Sequence, residues 1–563
     1  MKENNSLSLI DSFIKSKRNQ NVSSEIIYHY LVSIGISEIL AASRIESYFE
    51  NTETITINLI NELISTESID VNLLTSSNIL PEIKLEFLNI FQEKLPSFLN
   101  ALEENIDVKK FELTPQYQYD EIGLNLGYFN ELSIRTGLIQ CIDPLTGNII
   151  KSNQAWVMPI SKDKNSYIAY LFNGLKPFVL LTIAHVSQAK AGIWFPSTGL
   201  FVAANIESAW IEYAVTFAKE LREKIFFSTS AHTQGLDFLS QRKSVLYLGF
   251  DNNLGHHIWN ELSGLEKVLK SNLFEHIHTI NVGPNEFIPI DKVFPELLES
   301  GIKIIRWKNS LPQCILHTDS LPIRLTGNRV SKNIRQRIVA WALQNCREVI
   351  DIIEKNNDDS LILWINLRVH NKSWVRQIEG IEQIAKNLTT TLLNGKKLKI
   401  ILDGTPDTTE IANQIRLDLD GVAEVLNATQ LSIASSTALA SLTDIFLCVV
   451  GSGLVMPHWL IGRRGVAHSN RPHLSQQKVL NNICEGVHDA FFIEEQFISD
   501  YDRPIIKGIS QVNYDVDDFA LFEALKLQYR FVDTKLRSSA VSQMLAYAQQ
   551  ENWFAASERI ISI

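Results

Sequence analysis

From Lys243 onward, apolar runs of strand length alternate with longer segments that carry apolar residues at helical spacing. The strand-like runs cover residues 245–250, 278–282, 302–307, 361–367, 398–402, 445–450 and 465–468. The helical patterns between them include residues 334–355, 380–394 and 407–419. Because strands separated by helices of this length pair in parallel, we expect an α/β fold. We predict two Rossmann-like domains that face a cleft, bridged by the helix at 334–355.

At 563 residues the chain is too long for one hydrophobic core, and we expect four parts. These are a helical module at 1–112, an α+β segment followed by the first Rossmann-like domain at 113–340, the second Rossmann-like domain at 341–510, and helices at 511–563 that pack back. In the first half, the patterns predict helices at 6–15, 24–34, 37–49, 57–65, 81–103 and 206–226, and strands at 134–141, 155–159, 167–172, 177–184 and 192–195. The N-terminal module is either a docking element or a stabilising cap.

Charge and cysteine usage exclude several classes of protein. The net charge of −11 argues against general nucleic-acid binding, which needs a basic surface. The five cysteines are scattered without CxxC spacing, which indicates reduced thiols and gives no zinc signature. No apolar run reaches the roughly 18 residues of a membrane span, and the N-terminus lacks the pattern of a secretory signal. We expect a cytoplasmic protein, with peripheral membrane attachment left open.

The first candidate site follows the strand at 245–250. The turn after it contains Gly255, His256 and His257, and a helix with an apolar face begins at Ile258. Open α/β sheets bind ligands at the carboxyl ends of their strands, and glycine permits a close backbone approach there. Histidine titrates near neutrality, so His257 or His256 is a candidate general base, with a slight preference for His257. The alternative is an ordinary turn with two surface histidines.

The second candidate site follows the strand at 361–367, where Arg368, His370 and Lys372 occur at two-residue spacing. On an extended backbone this spacing places the three side chains on one side of the chain. A guanidinium fork and an ammonium suit the oxygens of a diphosphate. The alternative is a solvated strand end.

Further candidates follow the neighbouring strands. Gly451, Ser452 and Gly453 form a turn between a strand and a helix whose amides suit a phosphate. His468 and Asn470 follow the next strand, and Asp403 ends the strand at 398–402, where a carboxylate suits a sugar hydroxyl or simply forms a turn with Gly404. No Walker, HExxH or GxSxG motif is present, and His276 and His278 lack nearby ligand partners, so we predict no metal site.

Together these motifs resemble those of GT-B glycosyltransferases. The Gly255–His257 turn is similar to the glycine-and-histidine loop of the N-terminal domain in that family. The run from Ile365 to His370 resembles the strand-ending arginine motif of fucosyltransferase-like members, and the run from Asp444 to Ser452 resembles their later segment near the donor phosphates. The second arginine of that motif is replaced by Val369, which argues against GDP-fucose as the donor.

The resemblance implies transfer of a sugar from a nucleotide-sugar donor to a polysaccharide, glycolipid or protein acceptor. The donor is a co-substrate, and no other cofactor or metal is implied, because cations and helix dipoles neutralise the diphosphate. Arg368, Lys372 and the Gly451–Gly453 turn then hold the donor, and His256 or His257 acts as base on the acceptor. Two alternatives remain open: a polysaccharide pyruvyl transferase on the same fold, and a non-catalytic scaffold with a degenerate transferase fold. The sequence gives no indication of the oligomeric state.

Overall fold

The computed structural model describes most of the second half of the chain and the strands of the first half. The described residues are 70–74, 133–142, 149–152, 155–159, 166–173, 177–183, 190–195, 200–204, 243–308, 315–317, 320–327, 329–346, 360–501 and 512–532. The six helices predicted before Lys243, and the distal part of the helix at 334–355, lie outside these residues. Among the described residues, no helix is both long and apolar enough to cross a membrane.

The chain divides into two compact units, which do not follow the sequence order strictly. The first unit contains residues 1–252, 264–286 and 300–328, and the second contains residues 253–263, 287–299 and 329–563. The segment at 253–263, which carries both candidate histidines, therefore belongs to the second unit although it follows a strand of the first.

The first unit contains a seven-stranded, mainly antiparallel sheet. In spatial order its strands are Asp70–Leu74, Leu200–Ala204, Lys190–Phe195, Pro177–Ile183, Ser166–Asn173, Ala155–Pro159 and Ile315–His317. The four strands predicted between 155 and 195 are confirmed. The strand Asp70–Leu74 was not predicted, and it pairs in parallel with Leu200–Ala204, so this part of the expected helical module belongs to the sheet.

One prediction in this region is half wrong. Residues 133–136 are helical, and the strand predicted at 134–141 is confined to Ile139–Ile142, which forms a hairpin with Ile149–Ser152. The positive φ of Gly137 (67°) separates the helical turn from the strand. A glycine inside a strand pattern is a local signal for such a break.

The first unit also contains a parallel sheet of four strands, named here the first parallel sheet. Its spatial order is Lys303–Arg306, Ile277–Val282, Ser244–Leu248 and Leu321–Arg324. In order along the chain these are the third, second, first and fourth strands, which is the order of the first four strands of a Rossmann fold. Strand Ser244–Leu248 is buried throughout, as expected for a parallel strand covered on both faces.

The second unit is built on a parallel sheet of six strands, named here the second parallel sheet. Its spatial order is Glu424–Asn427, Lys397–Asp403, Ser360–Asn366, Ile445–Val449, Arg464–His468 and Phe491–Phe492. Along the chain this is the order 3-2-1-4-5-6 of a complete Rossmann fold. Both parallel sheets confirm the predicted α/β class with two Rossmann-like domains.

Helices join the strands of both parallel sheets. The α-helices are Leu254–His256, Ser263–Lys270, Ile290–Val293, Glu296–Glu299, Lys332–Asn345, Gln377–Asn387, Thr409–Asp418, Ile433–Ala440, Arg471–Leu474, Gln477–Asn481 and Asp518–Tyr529. Short π-helical segments cover His257–Leu262, Leu388–Leu392 and Val455–Leu460, and 3₁₀ turns cover Phe274–His276, Pro406–Thr408, Ser452–Leu454 and Glu495–Phe497.

The described part of the C-terminal region packs against the second parallel sheet. Strand Tyr514–Val516 pairs with Ile498–Asp500, and Tyr514 also forms a bridge with Trp374. Trp374 is almost fully buried, and its indole N–H donates to Asp515 Oδ1 at 2.8 Å. This contact fixes the chain just after Lys372, which is one of the candidate site residues.

We expect Gly380→Ala to destabilise the second unit. A Cβ atom at this position would lie 2.0 Å from Trp374 Cζ2, and the indole is held by Asp515. Overpacking costs about 1–3 kcal/mol, which outweighs the roughly 1 kcal/mol that alanine gains over glycine in a helix. The measurement is thermal unfolding followed by tryptophan fluorescence. The exposed Gln383→Ala on the same helix is the control, and an equal melting temperature for both variants contradicts the packing described here.

Candidate functional site

The candidate site lies where the strand order of the second parallel sheet reverses. Strands Ser360–Asn366 and Ile445–Val449 are neighbours in this sheet, and the chain leaves them in opposite directions across it. In open α/β folds this switch point leaves a crevice at the carboxyl ends of the two strands, where ligands bind. Residues 367–372 follow the first of these strands, and residues 450–453 follow the second.

Arg368 lies at this switch point and is held by both strand ends. Its guanidinium donates to Ser452 Oγ and, at 3.2 Å, to Asn371 Oδ1. The Gln377 side chain donates to the Arg368 carbonyl at 2.9 Å, which fixes the backbone at this position. Burial is the main effect on the guanidinium, and it lowers the pKa of Arg368.

Lys372 approaches the same point from the following bend. Its backbone is left-handed (φ 48°), and its ammonium donates to the Val450 carbonyl at 3.1 Å. Only 8% of the residue is exposed, and burial, with a further contribution from Arg368, lowers the pKa of Lys372 well below its usual value. The positive charge of Arg368 therefore adds to the cost of charging Lys372.

The Gly451–Gly453 turn requires both of its glycines. Gly451 has φ 101° and ψ −132°, a conformation that essentially only glycine adopts. A Cβ atom there would lie 2.9 Å from Lys372 Nζ, and a Cβ atom on Gly453 would lie 2.5 Å from Asn366 Oδ1. The two glycines thus let the turn approach Lys372 and the end of the central strand.

Arg368 and Lys372 form no direct ion pair in the described part of the chain, and Asp403 acts on Arg368 only through its charge. No carboxylate there forms an ion pair with Arg368 or Lys372, whereas the nearby Arg376 pairs with Asp515. Buried charges in proteins are normally paired, because an unpaired charge loses its hydration without compensation. Two converging cations without a counter-ion are the arrangement expected of a site that receives an anion.

Asp403 ends the neighbouring strand and lies beside Asn366. The Asn366 amide donates to Asp403 Oδ2 at 3.1 Å, and the Asn366 Oδ1 atom is buried without a partner. Burial raises the pKa of Asp403 to about 6, against the opposing effects of hydrogen bonds from Asn366 and Gly404 and of the Arg368 charge. The sequence analysis named Asp403 and missed Asn366, whose local signal is a polar residue that ends an apolar strand.

The structure does not bring His370 to the cation pair. We predicted that the three basic side chains lie on one side of the chain because we assumed an extended backbone. Residues 369–372 instead form a bend, and the backbone of Lys372 is left-handed. His370 is exposed, and its Nε2 lies 2.8 Å from Asp407 Oδ2. It therefore forms a surface ion pair with Asp407 when it is protonated.

His468 and Asn470 lie below the surface at the end of the next strand. His468 is 2% exposed, its Nδ1 lies 2.9 Å from the Tyr514 hydroxyl, and burial lowers its pKa to about 3. Asn470 is fully buried and caps the helix Arg471–Leu474. Both residues support the site rather than line it. An asparagine followed two residues later by proline is a helix-start pattern that identifies this cap in the sequence.

The histidine segment, residues 253–263, contacts the helix that follows the Gly451–Gly453 turn. Asn253 Oδ1 accepts from the backbone amide of Gly255 at 2.9 Å, and a Cβ atom on Gly255 would lie 3.3 Å from Trp459 Cζ3. The Trp259 and Trp459 rings meet edge to face with centroids 6.4 Å apart. Within the second unit, Trp459 thus connects the two sequence motifs.

The two histidines of this segment differ in environment. His257 is fully buried, with Nδ1 at 2.8 Å from Glu261 Oε2 and Nε2 at 3.3 Å from the Ile288 carbonyl oxygen. Both partners accept hydrogen bonds, so neither nitrogen is available to an external hydroxyl. His256 is half-buried, stacks on Trp259 and has Nδ1 at 3.0 Å from Asn260 Oδ1. The slight preference for His257 is therefore reversed.

No protein-family model matches this chain, and no curated protein matches it. Among solved structures it is similar to E. coli ADP-heptose LPS heptosyltransferase II, at 14% identity and a TM-score of 0.28, over 51% of this chain and 100% of that chain. It is also similar to E. coli trehalose-6-phosphate synthase bound with UDP-2-fluoro glucose, at 10% identity and a TM-score of 0.23, over 65% of this chain and 87% of that chain. At these identities and TM-scores the likeness carries no functional argument.

We expect Asp403 to give the free energy of unfolding a characteristic pH dependence. Because the folded pKa (about 6) is above the usual value of 3.8, the folded state holds the proton more tightly. The contribution of Asp403 to stability therefore falls as the pH rises from 3.8 to about 6 and is constant above that. Asp403→Asn removes this slope and is more stable than the parent above pH 6, as measured by denaturant unfolding.

Asp407→Asn is the control, because Asp407 gives the free energy of unfolding the opposite pH dependence. A hydrogen bond from Thr405 is the main cause that lowers the pKa of Asp407, so its contribution is present above 3.8 and is lost in acid. An Asp403→Asn variant that keeps the pH slope of the parent contradicts the burial of this carboxylate.

Proposed function

We propose that this protein is a metal-independent GT-B glycosyltransferase that moves a sugar from a nucleotide-sugar donor to a glycan or protein acceptor. The observation that carries the proposal is the pair Arg368 and Lys372, two desolvated basic side chains that form no ion pair with a carboxylate among the described residues, at the switch point of a 3-2-1-4-5-6 sheet. This is the position at which Rossmann folds bind nucleotides.

The cation pair suits the leaving group of such a reaction. During transfer, the acceptor oxygen bonds to the anomeric carbon while the bond from that carbon to the diphosphate oxygen breaks. The nucleoside diphosphate departs with the electron pair, so negative charge grows on its oxygens. Preorganised cations at that point stabilise the transition state without reorganisation. The diphosphate also restores the charged form of Lys372, because a nearby anion opposes the effect of burial.

His256 is the proposed base on the acceptor hydroxyl. It is the more accessible of the two histidines, and Asn260 and Trp259 hold its ring. His257, through its contacts to Glu261 and the Ile288 carbonyl, positions the turn that carries His256.

The proposal includes a cytoplasmic location, with or without peripheral attachment to the membrane, and no cofactor other than the co-substrate. The cysteines of the described residues, Cys346, Cys448 and Cys484, are free thiols, which supports a reducing compartment. No cluster of three or more His, Cys, Asp or Glu in the described ranges is arranged to hold a metal. The likeness to fucosyltransferase-like members stays a prediction.

We expect Arg368→Ala and Lys372→Met each to weaken the binding of a nucleoside diphosphate. Loss of a charge-assisted contact costs about 1.5–3 kcal/mol, which is roughly a 10- to 150-fold loss of affinity. The measurement is isothermal titration of the full chain with UDP, GDP, dTDP and CMP and their sugar conjugates, using the tightest ligand for the variants.

The matched controls are Arg376→Ala and Lys386→Met, two exposed cations that already pair with carboxylates. These substitutions leave the affinity unchanged. If the four variants bind the nucleotide equally well, or if no nucleotide binds the parent chain, the site is assigned to the wrong residues or the wrong function.

We expect His256→Ala to lower the turnover number about 10²- to 10⁴-fold, as for loss of a general base, while donor affinity is retained. His257→Ala instead lowers the melting temperature, because it leaves Glu261 buried without its partner. Turnover is followed with the best donor, and His276→Ala serves as the control histidine. Near-parental turnover of His256→Ala shows that the base lies elsewhere.

A further inference from the structure

His473 lies in the short helix that follows the strand Arg464–His468 of the second parallel sheet. This strand is the neighbour of Ile445–Val449, and Val450 N donates to the His468 carbonyl at 3.0 Å just before the Gly451–Gly453 turn. The charges of Lys372 and Arg368 both act on the His473 ring. The helix that carries His473 therefore begins at the same edge of the sheet as the Gly451–Gly453 turn, although the sequence analysis did not include His473 among the site residues.

The hydrogen bonds of Asn470 fix the tautomer of His473. The Asn470 amide nitrogen donates to the Val512 carbonyl at 2.9 Å, so its Oδ1 must point the other way. That Oδ1 accepts from the His473 backbone N–H at 3.0 Å and lies 3.0 Å from the His473 Nδ1. Because Oδ1 only accepts, Nδ1 carries the hydrogen. In the neutral ring, Nε2 is then the acceptor.

The ring is held neutral, and its acceptor atom is not used within the described protein. Burial lowers the pKa of His473 to about 3, with further contributions from Lys372 and Arg368. Only 6% of the residue is exposed, and Nε2 has no hydrogen-bond partner among the described residues. An acceptor that no described group uses is available to a donor from a ligand.

We propose that His473 Nε2 accepts a hydrogen bond from a hydroxyl group of the bound nucleotide sugar, on the ribose or on the transferred sugar. This inference rests on the proposed donor site, since the hydroxyl must lie beside the phosphates that Arg368 and Lys372 hold. A neutral acceptor does not attract a phosphate oxygen, because both atoms present lone pairs. His473 is therefore a specificity residue for a sugar hydroxyl rather than a third phosphate ligand.

Two substitutions test the roles of the two ring nitrogens separately. His473→Asn keeps a donor near the position of Nδ1 for Asn470 and removes the acceptor at Nε2. His473→Gln places an amide oxygen near the position of Nε2 and removes the donor to Asn470. We expect His473→Asn to keep the melting temperature and lose affinity, and His473→Gln to lose melting temperature and keep affinity.

The ligands are inorganic pyrophosphate, UDP and GDP, and UDP-glucose and GDP-mannose, titrated into the full chain by calorimetry. His473→Asn should bind pyrophosphate as the parent does and bind the nucleotide ligand about 10-fold more weakly. A loss with both the nucleoside diphosphate and the nucleotide sugar identifies a ribose hydroxyl. A loss with the nucleotide sugar alone identifies a hydroxyl of the transferred sugar. The exposed His488→Asn is the control.

Two results overturn the inference. Parental affinity of His473→Asn for every ligand shows that Nε2 receives no ligand hydroxyl. An equal loss for pyrophosphate and nucleotides shows that His473 acts on the phosphate site itself. Arg368→Ala distinguishes failure of the donor site: if this variant and the parent both fail to bind pyrophosphate and nucleotides, the proposed function fails. If the parent binds these ligands and Arg368→Ala does not, the donor site is supported, and the affinity of His473→Asn then decides the role of His473.

Discussion

Arg368 and Lys372 share a desolvated corner of the second parallel sheet, and their mutual repulsion adds to the cost of their burial. Such a pair persists in a folded protein only if the surrounding structure holds it in place. Ser452 and Asn371 hold the guanidinium, the Val450 carbonyl holds the ammonium, and Gly451 leaves the space that the ammonium occupies. These contacts fix the positions of two basic groups whose charged forms a nearby anion would favour.

The fold brings these residues together at one edge of the second parallel sheet. Strands Ser360–Asn366 and Ile445–Val449 are neighbours in the sheet, although two other strands and their helices lie between them along the chain. The residues that follow each strand therefore meet at one edge of the sheet. Trp374, held by Asp515 and in contact with His468, fixes the return of the chain after Lys372. Asn470 caps the next helix and orients His473. The buried polar residues around Arg368 and Lys372 therefore hold these two side chains in place.

Periodicity predicted seven of the ten strands of the two parallel sheets, because the central strands are almost all apolar and buried on both faces. The two edge strands of the second parallel sheet, Glu424–Asn427 and Phe491–Phe492, were missed. Strand Leu321–Arg324 was missed since it contains Pro322, which is tolerated only because this strand lies at the sheet edge. In the site, strand ends predicted Arg368, Lys372 and the Gly451–Gly453 turn. The sequence did not predict that a bend turns His370 outward, that His257 is buried, or that Asn470 fixes His473 through its Nδ1 atom, because these depend on tertiary contacts.

The central claim is that Arg368 and Lys372 together form an anion site for the diphosphate of a nucleotide. Its most direct test is a crystal structure of the full chain bound to the nucleoside diphosphate with the highest affinity. The account predicts phosphate oxygens within hydrogen-bond distance (about 2.7–3.2 Å) of the guanidinium and of the ammonium. A diphosphate bound elsewhere, with Arg368 still on Ser452 and Lys372 still on the Val450 carbonyl, would contradict it.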